Sequence, residues 1–349
     1  ACPVQVPLRT GRKINRNPIS LNTGDMTDVY ITVDTEYSSS LAHRPCPVDR
    51  AENFARSIVG ITPDGPLGLP HKLALLKRYG QRGVFFVDPM PALVWGTAAI
   101  EDVVAPILAA GQDVQLHCHT EWLAHAGPDS PFSSLAGRNI KDFPFEEQCR
   151  ILEWARDTLM AAGAPRPCAF RAGNYGANRD TLRALDELDI EYDTSFTPAI
   201  ADGHCDIPLC EQTTQPTLME GVIEVPTGCI RDATGKLRHA QITALSLREM
   251  TTAIVHARET GLPNFTFVSH SFELVNRRRL SVNRIVRNRF EGLCRTLKAL
   301  RGVRTATYRD NPPSRLFDRK AMPEPPVSGP FSTGMRYAEQ AVSNALYGA

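Results

Sequence analysis

The chain has 349 residues, 42% hydrophobic and 22% charged, enough apolar material for a large core, which excludes a disordered, collagenous or small disulfide-built protein. Lys and Arg total 39 against 38 Asp and Glu, a formal net charge of +1, so no global field argues for nucleic acid and any electrostatic preference must be local. No run of about 18 apolar residues predicts a membrane span and no signal-peptide pattern opens the chain, while nine scattered cysteines read as thiols of a reducing, cytoplasmic compartment.

Residues 28–33 (DVYITV) and 83–87 (GVFFV) are short runs of β-branched and aromatic residues and read as buried strands. Between them, 69–79 (LPHKLALLKRY) spaces its leucines for a helix, with Pro at its start and Gly80 as its stop, which makes a β-α-β unit. The alternation continues with a helix over 97–110, a strand over 113–117, a helix over 145–162, a strand over 168–171, a helix over 179–188, and strands over 190–194 and 221–225. Ser246 and Glu249 have the spacing of a capping box that opens a helix to about residue 259, followed by a strand over 265–269, a helix over 284–300 and a strand over 303–308. Such alternation predicts a parallel sheet or barrel. The proline-rich stretch 311–330 reads as a wrapping tail with a helix over 335–346 beyond it, so the expected organisation is an extension over 1–27, a barrel over 28–310 and a tail over 311–349.

In parallel α/β folds ligands bind at the carboxyl ends of strands, and four such ends are polar here. The first strand ends in Asp34-Thr35-Glu36, two carboxylates that share a face if the extended geometry persists. The strand from Asp113 ends in His117-Cys118-His119-Thr120-Glu121, whose imidazoles and carboxylate suit Zn, Fe, Co, Ni or Mn. The third end, Phe170-Arg171-Ala172-Gly173-Asn174-Tyr175-Gly176, sends a permanent charge out of an apolar strand, where it needs a carboxylate partner or bridges two loops. The fourth, Phe267-Val268-Ser269-His270-Ser271-Phe272-Glu273, places a histidine at the end of an apolar strand, either satisfied in the core or a general acid. A separate structural zinc site from His204, Cys205, Cys210 and Cys229 fits no common spacing, and loop and core roles suit those residues better.

These four ends in this order resemble the polysaccharide deacetylase family, the NodB-homology or carbohydrate esterase 4 type, over roughly residues 28–308. The family's T-F-D-D is similar to Thr32-Val33-Asp34-Thr35-Glu36, its H-[ST]-x-x-H to His117–Glu121, its R-x-P-Y to Arg171-Ala172-Gly173-Asn174-Tyr175 and its L-x-H to Val268-Ser269-His270, with Asp193 the nearest candidate for the fourth motif. Two positions depart from the pattern. Thr35 stands where a metal-binding Asp is usual, so Glu36 takes over in a D-x-E spacing, and Glu121 stands where the second His is usual, with His119 the chemically better substitute.

The resemblance implies an irregular (β/α) barrel of about seven parallel strands with terminal extensions, and a hydrolase that removes an acetyl group from an amino sugar, polysaccharide or nucleotide- or lipid-linked sugar. It implies a divalent metal, zinc first, on Glu36, His117 and His119, with Glu121 as alternate ligand. Asp34 would act as base with Arg171 as its orienting partner, His270 as general acid, and the backbone near Tyr175 as oxyanion support. Trp122 and Trp95 are candidates to stack on a sugar, though core packing suits both equally well. The basic block Arg277, Arg278, Arg279, Arg284, Arg287 and Arg289 reads as a solvated helix face or as a site for an anionic carrier. The competing readings are a metal-independent amide hydrolase on the same fold and a non-catalytic carbohydrate-binding relative. Oligomeric state is not legible in the sequence.

Overall fold

The computed structural model describes residues 26–42, 48–200, 204–277, 279–314 and 323–347, so most of the expected N-terminal extension and Arg278 lie outside the described residues. A nine-stranded sheet organises the chain: β1 (Thr27–Thr35), β2 (Val84–Val87), β3 (Asp113–Cys118), β4 (Ala169–Ala172), β5 (Tyr192–Asp193), β6 (Thr217–Met219), β7 (Val222–Glu224), β8 (Asn264–His270) and β9 (Val303–Thr305). The strand order is β8-β1-β2-β3-β4-β5-β7-β6, with β9 also paired to β1. Every pairing is parallel except that of β6 with β7, so eight strands run parallel and the short β6 adds an antiparallel edge. The sheet curls into the expected irregular barrel. Its gap beside β8 is bridged by loop backbone: the Gly228 N–H donates to Thr266 O (2.9 Å), the Ile242 N–H to Val268 O (3.0 Å), and the Val268 N–H to Ala240 O (2.9 Å).

Helices α1 (Leu69–Tyr79), α2 (Ala98–Ala109), α3 (Phe145–Ala161), α4 (Arg179–Glu187), α5 (Leu247–Glu259) and α6 (Arg284–Ala299) cover the outer face of the sheet. Helix α1 buries Leu69, Leu73 and Leu76 at helical spacing and stops where Gly80 takes a left-handed φ of 63°. Helix α5 begins at the capping box that the sequence predicts, with Ser246 and Glu249 bonding each other's backbone. The tail folds back on the barrel as α7 (Pro330–Tyr347), one turn longer at its start than the predicted helix.

Alternation along the strands sorts the side chains into two cores. Val29, Ile31 and Val33 of β1 face the helices, with Phe85, Leu116 and Phe267 from neighbouring strands. Tyr30 of β1 faces the barrel interior with Val84, Phe86, Tyr192 and Tyr308. Side chains two apart share a face of a strand, so the interior column of β1 runs Tyr30, Thr32, Asp34, and the rule alone aims the carboxylate at the barrel mouth.

Candidate active site

Register brings the polar strand ends together. Asp34 is the direct partner of His270 across the β1–β8 ladder, and His117 is the partner of Arg171 across β3–β4. A cleft of about 270 Å³ opens at this end of the barrel, lined by Asp34, Glu36, His117, His119, Ala172, Asn174, Tyr175, Ile200, His204 and His270.

Glu36, His117 and His119 form the one cluster among the described residues whose donor atoms could share a metal ion, all lying within 4.8 Å of one another. Glu36 Oε2 stands 3.3 Å from His117 Nε2 and 2.5 Å from His119 Nε2. The opposite nitrogen of each ring is already engaged. His117 Nδ1 donates to Arg171 O (2.7 Å), and His119 Nδ1 donates to Glu121 Oε2 (2.9 Å), whose other oxygen accepts from Asn174 (2.9 Å). Both Nε2 atoms therefore converge on the carboxylate, an arrangement that calls for a positive charge between them, a proton on His119 or a metal ion in its place. The electrostatics agree. Burial works against the charged form of His119, but Glu36 and Glu121 reverse it and hold the imidazolium well above the usual histidine range, while the imidazoles keep Glu36 well below the usual carboxylate range despite its burial. The donor set fits a divalent ion of the zinc type. Glu121, the alternate ligand, instead orients His119 from behind. Gly173 is required by this packing, because a Cβ there would lie 2.7 Å from His119 Nδ1.

Arg171 is wholly buried and finds the carboxylate partner it needs: Nη1 donates to Asp34 Oδ1 (2.6 Å) and to Thr32 Oγ1 (2.9 Å), with the guanidinium 4.4 Å from the centre of the Phe86 ring. That leaves Asp34 Oδ2 facing His270 Nε2 at 3.8 Å. His270 Nδ1 donates to Glu273 Oε1 (2.8 Å), and Gln241 donates to the same oxygen. Burial pulls His270 down, but Glu273 and Asp34 outweigh it and raise its pKa to about 9. Burial likewise pushes Glu273 up, and His270 and Lys72 bring it to about 2. Asn174 and Tyr175 both take left-handed conformations (φ 55° and 58°), backbone strain of about 1–3 kcal/mol per residue that places the Tyr175 side chain at the cleft. The Tyr175 hydroxyl is buried without a hydrogen-bond partner, and burial pushes its pKa up, so it stands as a proton donor.

Other expectations change. Trp122 is fully buried and packs edge-on to Trp95 at 5.1 Å, in the core rather than beside a sugar. Asp193 sits one residue out of phase with Tyr192, whose side chain enters the barrel; it binds Ser195 N–H (3.1 Å) and Ser195 Oγ (2.7 Å) and pairs in register with Glu224, so it does not line the cleft. His204 lines the cleft, and no metal cluster forms with Cys205, Cys210 and Cys229 among the described residues. The basic block divides. Arg289 is buried against Glu339 of α7, Arg279 donates to Leu346 O (3.2 Å), Arg277 lies over Phe272 at 3.9 Å, Arg284 is exposed and Arg287 partly so. Three residues at the site have no role in the sequence reading, Glu273 although it closes the fourth polar segment. Glu273 and Gln241 are described above. Asp88, just past β2, accepts from Met90 N–H (3.1 Å) and His119 N–H (3.3 Å), and burial raises its pKa to about 6. Its signal was an acid closing the apolar run VFFV.

The sequence matches no family model and no curated protein. Solved structures do resemble it. A candidate polysaccharide deacetylase of Mycobacterium smegmatis superposes with a TM-score of 0.52 at 18% identity, over 88% of this chain and 98% of that one. A family 4 carbohydrate esterase of Streptomyces lividans, solved with acetate, gives 0.40 at 11% identity over 83% and 97% of the two chains. A 4-α-glucanotransferase of Thermococcus litoralis gives 0.47 at 10% identity over 82% and 40%. The mycobacterial likeness shows the fold: this chain is built on the irregular (β/α) barrel of the NodB-homology type.

Proposed function

We propose that the chain is a metal-dependent carbohydrate deacetylase. One observation carries the reading: an Arg-held carboxylate and a carboxylate-held histidine meet at 3.8 Å on adjacent strand ends, in the cleft that also holds the convergent Glu36, His117 and His119 donors. When bound by these three residues, a divalent ion, zinc first among the candidates, would polarise an acyl carbonyl and make water more acidic. Asp34 Oδ2 accepts the proton of the attacking water while Arg171 fixes the other oxygen. His270 Nε2 delivers a proton to the departing nitrogen or oxygen, and its charge returns to neutral against Glu273. The Tyr175 hydroxyl offers a hydrogen bond to the charge that develops on the acyl oxygen. The substrate class is an acetylated sugar. A nucleotide- or lipid-linked form is the finer reading, supported by Arg277, which stacks on Phe272 5.3 Å from the His270 ring.

Acetate release from N- and O-acetylated sugars, neutral and nucleotide-linked, tests the proposal. Wild type supplied with zinc should release acetate, Asp34→Asn and His117→Ala should lose about 10²- to 10⁴-fold, and Arg277→Ala should lose only a preference for the linked form. Undiminished release after chelation would point to a metal-independent hydrolase. Glycan binding with no release under any metal would mark a non-catalytic relative.

A further inference from the structure

Lys72 is a lysine in the wrong place for solvation. It lies on the face of α1 that buries Leu69, Leu73 and Leu76, and it is itself fully buried. Removing an ammonium from water costs several kcal/mol, roughly, unless the site compensates, and here the compensation points at one target. Lys72 Nζ donates to Ser269 Oγ (2.6 Å), Ser269 Oγ donates to Glu273 Oε2 (3.0 Å), and Glu273 Oε1 receives His270 Nδ1 (2.8 Å). The Phe290 ring of α6 closes over Nζ at 4.0 Å. We infer that Lys72 is a positioning residue for His270, acting through Ser269 and Glu273 to set how firmly the imidazole holds its proton. The inference rests on His270 being the general acid of the proposed reaction.

The sign follows from the charges around each group. His270 is faced by Asp34 of β1 and Glu36 just past its end, by Glu273 from its own loop, and by His239 from the segment along β8. Lys72 is faced by Glu273 and by Cys294 of α6, while His71 beside it on α1 is influenced by Arg287. Glu273 is thus a single carboxylate shared between two cations. The ammonium offsets part of its charge, so Glu273 grips the imidazolium less tightly than it would alone, and His270 gives up its proton more readily. The fixed chain also locks the Glu273 carboxylate in the orientation that receives Nδ1, which keeps Nε2 directed at the cleft. Burial lowers Lys72 to about 8, consistent with an ammonium held by this network.

Lys72→Met keeps the length of the side chain and removes the charge, and Ser269→Ala breaks the chain without touching either charge. NMR titration of the His270 ring in each variant, with kcat measured across pH, reads the effect. Lys72→Met should raise the His270 midpoint by about half to one unit, a change of roughly three- to tenfold in proton affinity, and carry the alkaline limb of kcat upward with it while KM stays within about twofold. Ser269→Ala should shift both in the same direction by less. An unmoved midpoint in a folded Lys72→Met protein overturns the inference. Should that variant fail to fold, an unmoved midpoint in Ser269→Ala does the same. The titration needs no turnover, so a shifted midpoint in a protein that releases no acetate upholds the coupling and rejects the deacetylase reading instead.

Discussion

At His270 two opposed requirements meet, since a general acid must hold its proton at working pH and still release it. Glu273 supplies the first. The folded-state pKa of His270 is raised to about 9, so its contribution to stability is complete below the unfolded value of about 6.5 and is lost as pH rises through 9. That of Glu273, lowered to about 2, is complete above about 4.3 and is lost as pH falls through 2. The ion pair is therefore fully effective between those unfolded values and declines on either side. Glu273→Gln removes the largest of the influences that raise His270, so the alkaline limb of acetate release should move about one to two units towards acid, with activity near pH 6 little changed and activity at pH 8 down by about two- to tenfold. A pH–rate profile whose alkaline limb stays in place would remove Glu273 from the mechanism. His270 was legible because an apolar strand that ends on a lone histidine is conspicuous in sequence. Glu273 stood three residues on and carried no signal, because the turn that swings it back has no periodicity to show its direction.

The elements were legible where hydrophobic periodicity is strong. The span 69–79 reads as a helix from its leucines, and it forms one over those residues. β6 is a three-residue edge strand among turn residues and was missed. Between the two roles open to Trp122, sugar contact and core packing, the structure shows the core, because the 3₁₀ turn Thr120–His125 after β3 rotates it inward, which strand alternation cannot foretell. Helix α7 is the plainest case of tertiary context overriding composition. It buries its polar residues Ser332, Thr333, Arg336 and Ser343, and leaves Phe331, Val342 and Leu346 exposed. What fastens it is charge: Arg336 binds Asp232 (3.0 Å) and Glu249 (3.2 Å), and Arg289 of α6 binds Glu339 (2.6 Å) while donating to Thr243 O (3.0 Å). Arg336→Met should leave the buried Glu249 without its cation and Asp232 with Arg238 alone, and cost about 3 kcal/mol or more in urea unfolding. A variant as stable as wild type would mean that α7 is held by the Arg289 and Ser343 contacts alone.

On the scale of the whole barrel, the candidate metal donors stand at or just past the ends of β1 and β3, with β2 between them, so an ion there would tie together strand ends separated by 81 positions from Glu36 to His117. An ion that binds only the folded chain stabilises it by RT ln(1 + [L]/Kd), about 2.7 kcal/mol at a hundredfold excess over Kd. Zinc at that excess should raise the melting temperature of chelator-treated protein by roughly 5 °C. His117→Ala loses a donor from the set, and the same zinc should then move its melting temperature by roughly 1 °C or less, since binding at the remaining pair is much weaker. Asp34→Asn leaves the three donors in place, so its zinc response should match that of wild type even where its activity is lost. Equal melting temperatures with and without zinc in the wild-type protein would argue against a metal centre at these residues, whatever the protein hydrolyses.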